Sequence, residues 1–172
     1  MNQRKIVDSR LNDEVGPESL TGQLFPRGIA FDVPGNPQPQ ERPRVRAYID
    51  PKTGHARAQV YARKGKTKNY RAMIAHEAAI KMDGRQLLQG PLDMTVVFYL
   101  EKPKSKPKYK VWPDVRPDLD NYVKAVKDAL KGVVYRDDSQ IVRLEARKMY
   151  AAYGPPRTKI AIEELKEAKR HV

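Results

Sequence analysis

Asp118, Asp120, Lys124 and the pair Asp137-Asp138 lie close together in the chain, and their types are those that phosphodiester hydrolysis requires. Several carboxylates can hold one or two hard divalent cations, which activate water and offset phosphate charge. A lysine nearby can stabilise the negative charge that develops as the bond breaks. Each residue also has a plainer use. Asp118 could cap a helix, Asp120 and Lys124 could form a surface i,i+4 pair worth a few tenths of a kcal/mol, and Asp137-Asp138 could make a turn. Only together do they amount to a site.

The spacing predicts the element that carries most of them. Leu119, Val123, Val126 and Leu130 recur at i, i+4, i+7 and i+11, one narrow apolar stripe at about 100° per residue. On that helix Asp120 and Lys124 share a side face, with Lys127 and Lys131 beside them. Asp118 and Asp120 within a single helix would diverge by about 200°, so Asp118 is expected at the helix start, as an N-cap behind Pro117. Residues 136–140 are expected to begin the next strand, continued by Ile141-Val142-Arg143-Leu144 and Met149-Tyr150. That places the second acidic pair at a strand entrance, able to swing back toward the helix.

Other segments read more simply. Residues 27–33 form a first strand, ended by the proline-rich run 34–39. Residues 44–50 (RVRAYID) alternate basic with apolar or aromatic side chains, as a half-exposed strand with a cationic outer face would. Residues 69–82 make a helix stopped by Gly84, and residues 92–100 (LDMTVVFYL) make a β-branched, aromatic strand. Residues 102–110 (KPKSKPKYK) form a proline-bearing loop with a lysine at every even position, and on an extended chain these would form a one-sided track for a phosphate backbone. Residues 1–26 lack periodicity and are expected to be a peripheral arm, and 166–172 a C-terminal tail.

The chain has 172 residues and a formal net charge of +13, enough length for one domain with a core. The charge is unevenly spread. Residues 35–72 carry ten Lys/Arg against two acids, residues 102–116 six against one, and residues 117–138 five acids against four bases. Carboxylates bracketed by cationic chain suit an enzyme acting on a polyanion. Cysteine is absent and the three histidines are scattered, so a thiolate or His-rich metal site is excluded and any metal must sit on oxygen. No apolar run nears the roughly 18 residues that span a bilayer, and no signal peptide is visible. A cytoplasmic location, without a membrane partner, is expected.

At Asp118-Leu119-Asp120-Asn121, Lys124 and Asp137-Asp138-Ser139-Gln140 the chain resembles the RusA-type Holliday junction resolvases, small endonucleases of bacteria, their phages and prophages. Arg42-Pro43-Arg44 also looks like the family's early basic strand, and the resemblance covers residues 27–165. It implies an α/β (α+β) domain with a mixed sheet of about four strands flanked by helices. It further implies a homodimer that nicks paired strands of four-way DNA junctions with magnesium, which manganese could replace, in recombination and repair. By this resemblance Asp118, Asp120 and Asp138 are the metal ligands and, with Lys124, the catalytic residues, while Asp137 is an additional candidate. The residues implied to hold DNA are Arg42, Arg44, Arg46, Lys102, Lys104, Lys106, Lys108 and Arg116. Other readings are a nuclease preferring other branched DNA, a non-catalytic basic nucleic-acid-binding protein, or a structural protein. A nuclease of the Pro-Asp…Asp/Glu-x-Lys type would use Pro117-Asp118, yet Glu145-Ala146 is followed by Arg147, and Lys148 comes one place late.

Overall fold

The computed structural model describes residues 27–41, 44–61, 65–152 and 154–166. The expected N-terminal arm, Arg42 and nearly all of the expected tail lie outside them. The elements in chain order are β1 (Gly28–Pro34), β2 (Arg44–Ile49), β3 (Ala56–Tyr61), α1 (Lys66–Met82), β4 (Leu92–Leu100), α2 (Leu119–Leu130), a 3-10 turn at Asp138–Gln140, β5 (Ile141–Tyr150) and β6 (Arg157–Glu164).

Four strands form one mixed sheet in the order β1-β6-β4-β5, and β2-β3 form a separate two-stranded ribbon. In the main sheet β6 pairs antiparallel with both β1 and β4, while β4 and β5 run parallel. Parallel neighbours need a crossover, and α2 provides it. The residues proposed for chemistry therefore lie on one connection, Asp118 and Asp120 where it enters its helix and Asp138 where it returns to the sheet.

Alternate residues of the strands send apolar side chains to one face. Ile29, Phe31 and Val33, Leu92, Met94, Val96 and Phe98, and Ile160 and Ile162 meet Tyr70, Ile74, Ala78 and Met82 of α1 and Val123, Val126, Ala129 and Leu130 of α2 in one cluster. Both described helices thus cover the same side of the sheet. Tyr70 and Thr158 close the seam between α1 and β6 with a buried hydroxyl–hydroxyl bond of 2.5 Å, and burial pushes the Tyr70 phenol well above its usual range.

Three local expectations change. Residues 136–140 do not begin a strand: Asp137 caps the 3-10 turn, and β5 starts at Ile141. The reason is a capping box, in which Asp137 accepts from Ser139 N while Gln140 Oε1 accepts from the Asp137 backbone. Residues 102–110 are not extended, because Lys106 N bonds Pro103 O and Lys110 N bonds Pro107 O in two successive turns. Finally, β2 is exposed on both faces rather than one; its partner is β3, and among the described residues no layer of the core lies against it.

Candidate active site

The face of α2 that points away from the core is built as its periodicity predicts. Asp120, Lys124, Lys127 and Lys131 follow one another at i, i+4, i+7 and i+11, a stripe parallel to the buried one. Asp118 takes the N-cap position with extended backbone (φ −70°, ψ 150°), but its side chain makes no capping bond. Its carboxylate is therefore not committed to the helix it precedes. Asp118, Asp120 and Lys124 are all exposed. Lys124 lies 4.0 Å from Asp128, one turn onward, an i,i+4 pair.

The second acidic pair is brought back to the same face by a tight reversal. Val133 N and Val134 N bond Leu130 O, and Gly132 N bonds Tyr135 O, a turn whose Gly132 has φ 79°, a value that favours glycine. Val134 and Tyr135 are buried, and the Tyr135 hydroxyl donates to Lys127 O at 3.0 Å. From there Asp137 Oδ2 meets Lys131 Nζ at 2.5 Å and Asp138 Oδ2 meets Lys127 Nζ at 3.6 Å. Two lysines of the α2 stripe thus hold the two aspartates of the returning chain.

The two aspartates are placed in different conditions. Lys131 and the Ser139 amide hold the Asp137 carboxyl well below the usual range, and Lys131 is correspondingly raised. Asp137 is engaged in the capping box and an ion pair. Asp138 keeps a buried Oδ1 with no hydrogen-bond partner, a costly arrangement that a cation would relieve.

Among the described residues no group of three or more His, Asp and Glu side chains stands close enough to hold a metal ion. The level of Asp120 and that of Lys127, which binds Asp138, differ by about 10 Å along the helix axis at 1.5 Å per residue. Asp118 and Asp120 stand at the start of the helix and Asp138 beside Lys127 further along it, without converging into a closed cage. Magnesium is commonly held by one or two carboxylates, with water and substrate phosphate completing the shell. An all-oxygen donor set with an orphaned Asp138 oxygen fits such an ion.

The basic residues occupy three regions. Lys102, Lys104, Lys106 and Lys108 line a concavity of about 450 Å³ with Ala151 and Ala152, and Lys102 Nζ donates to Lys108 O at 2.7 Å. The turns thus gather on a bowl the lysines that an extended chain would have laid in a row. Arg116 is exposed, two residues before Asp118, and its bond to Pro117 is cis. Arg46 lies on the exposed β2-β3 ribbon, where register places Arg46, Tyr48, Arg57 and Gln59 on one face and Val45, Ala47, Ile49, Ala56 and Ala58 on the other. Arg44 is in β2, and its side chain, like Arg42 as a whole, lies outside the description.

Two residues of this region were not singled out from sequence as site residues. Lys127, which the wheel placed beside Asp120 and Lys124, pairs with Asp138. Lys148 of β5 reaches the chain just before Asp118, a contact for which the sequence carries no local signal.

Known proteins resemble this chain over most of its length. The family model described as Endodeoxyribonuclease RusA matches residues 34–163. The protein YqaN of Bacillus subtilis (strain 168), itself uncharacterized, is 35% identical over 147 residues, covering 80% of this chain and 96% of that protein. The protein named crossover junction endodeoxyribonuclease rusA, from Lactococcus phage r1t, is 43% identical over 60 residues, which is 34% of this chain and 45% of the phage protein.

Proposed function

The chain belongs to the RusA endodeoxyribonuclease family, and on that footing we propose that it resolves four-way DNA junctions by magnesium-dependent hydrolysis. The observation that carries this reading is the shared exposed face of α2. It carries Asp120 and Lys124, with Asp118 at the N-cap just ahead of them, and one turn further on Lys127 pairs with Asp138, which keeps an unpaired buried oxygen.

Asp118, Asp120 and Asp138 would hold the cation, which when bound lowers the pKa of water and offsets phosphate charge. Lys124 supplies a positive charge on the same face for the phosphate oxygens, where charge grows in the transition state. Asp137 stays with Lys131 and fixes the height at which Asp138 meets the helix. Around this acidic strip the lysine bowl, Arg116 and the ribbon bind duplex arms through phosphates, largely without regard to sequence. A two-fold homodimer would supply two such sites for paired nicks on opposite strands, since equivalent halves can engage equivalent arms.

The test is Asp120→Asn with a labelled four-way junction and a matched linear duplex, with and without magnesium. Wild type is expected to make paired nicks in the junction alone, and only with the metal. The variant is expected to lose cleavage and keep junction binding, because removing a negative charge does not weaken phosphate attraction. Cleavage by Asp120→Asn at the wild-type rate would overturn the assignment.

A further inference from the structure

We propose that Lys148 is a positioning residue that sets the direction of Asp118. The inference rests on the reading of Asp118 as a site residue. Lys148 lies in β5 opposite Phe98 of β4 in parallel register, so it shares the helix-covered side of the sheet with a fully buried aromatic ring. A lysine there is costly unless its ammonium is satisfied. The ammonium is satisfied by main-chain carbonyls: Nζ donates to Val115 O at 2.7 Å and to Pro117 O at 2.8 Å.

The second carbonyl is the important one. Pro117 O belongs to the peptide unit that joins Pro117 to Asp118, so Lys148 grips the chain at the bond that leads into the acidic residue. Around it Pro113 is buried and Lys110 bonds the Asp114 carboxylate at 2.6 Å, but backbone bonding is sparse. Tyr150 N bonds Val111 O upstream and Asn121 N bonds Asp118 O downstream, and among the described residues no backbone bond ties 112–117 to a strand. Pro113 and Pro117 have no N–H to offer. Because the Asp118 side chain makes no capping bond, its direction follows the backbone that Lys148 holds. Asp138 lies just before β5 and Lys148 near its far end, so one strand fixes both ends of the proposed site.

The proposal is tested by Lys148→Met, which keeps length and removes the donors, and Lys148→Arg, which restores them. Lys148→Met is expected to lower kcat for junction cleavage by about 10- to 100-fold, the scale of an ångström-sized misplacement. KM and metal-free junction affinity are expected to stay within about two-fold of wild type, a split that loss of DNA binding would not give. Lys148→Arg is expected to recover most of the rate. In an Asp118→Asn background Lys148→Met is expected to cost nothing further, since the group it positions is already lost. Amide NMR shifts supply a readout independent of activity: Lys148→Met should move residues 118–120 and leave 126–130 in place. If Lys148→Met does not fold, Lys148→Leu, which also lacks donors, takes its place in every comparison. A wild-type rate in the methionine variant, an undiminished penalty in the Asp118→Asn background, or unmoved amides at 118–120 would each overturn the proposal. Absence of cleavage by the wild-type protein would instead overturn the functional reading, and the amide shifts would still decide the role of Lys148.

Discussion

Asp137 and Asp138 carry the same side chain and adjacent numbers, yet their surroundings assign them different work. Asp137 is depressed by Lys131 and the Ser139 amide. Its contribution to stability is therefore present above the unfolded carboxylate value near pH 4 and is lost as pH falls through its lower folded value. Asp137→Asn is expected to be less stable than wild type at pH 7, with the difference shrinking below about pH 4. Denaturant titrations at stepped pH measure this directly, and a gap that persists unchanged into acid would contradict it. The sequence offered the pair without separating its members by spacing. A signal was nonetheless there: Asp137-Asp138-Ser139-Gln140 fits the pattern of an acidic cap followed three residues later by glutamine, which marks Asp137 as the cap and leaves Asp138 available. The Lys124–Asp128 pair was less legible, because Asp120 and Asp128 both lie one turn away from Lys124.

Among the elements, α2 was the most readable, since a 3.6-residue stripe strong enough to bury Val126 and Leu130 completely fixes which face is left for chemistry. Leu130→Ala is expected to cost about 2–5 kcal/mol, as other large-to-small core changes do, with the denaturant slope unchanged. The β4 strand, Leu92–Leu100, matches its expected bounds residue for residue, because β-branched and aromatic residues there are bounded by Gly90-Pro91 and a lysine–proline loop. The β3 strand was not read at all. Among the described residues Ala56–Tyr61 pairs only with β2, and a strand whose described side chains, 56–59, are all exposed needs no hydrophobic alternation to announce itself. The turns in 102–110 were missed for a related reason: even lysine spacing reads as an extended track unless the Pro103 and Pro107 turns are weighed more heavily.

For the whole molecule, the sheet order β1-β6-β4-β5 unites residues from both ends of the described chain, and pairings such as Phe31 with Ile160 left no local trace. The uneven charge was legible, and its consequence is measurable. If the lysine bowl, Arg116 and the ribbon together contact 6–10 phosphates, junction affinity should fall about 10³- to 10⁵-fold between 50 and 200 mM salt. Fluorescence titration at several salt concentrations checks this, and Lys104→Glu with Lys106→Glu should flatten the dependence. A salt-independent affinity would remove the cationic surface from the binding account.

The β2-β3 ribbon has a practical consequence. Its loop includes Thr53, exposed between Lys52 and Gly54, in a chain with no cysteine. Thr53→Cys would therefore introduce a unique thiol outside the core and the catalytic strip, and a dye attached there could report on the ribbon as a duplex arm is engaged. Without cysteines to remove first, the protein lends itself to single-molecule observation with one substitution.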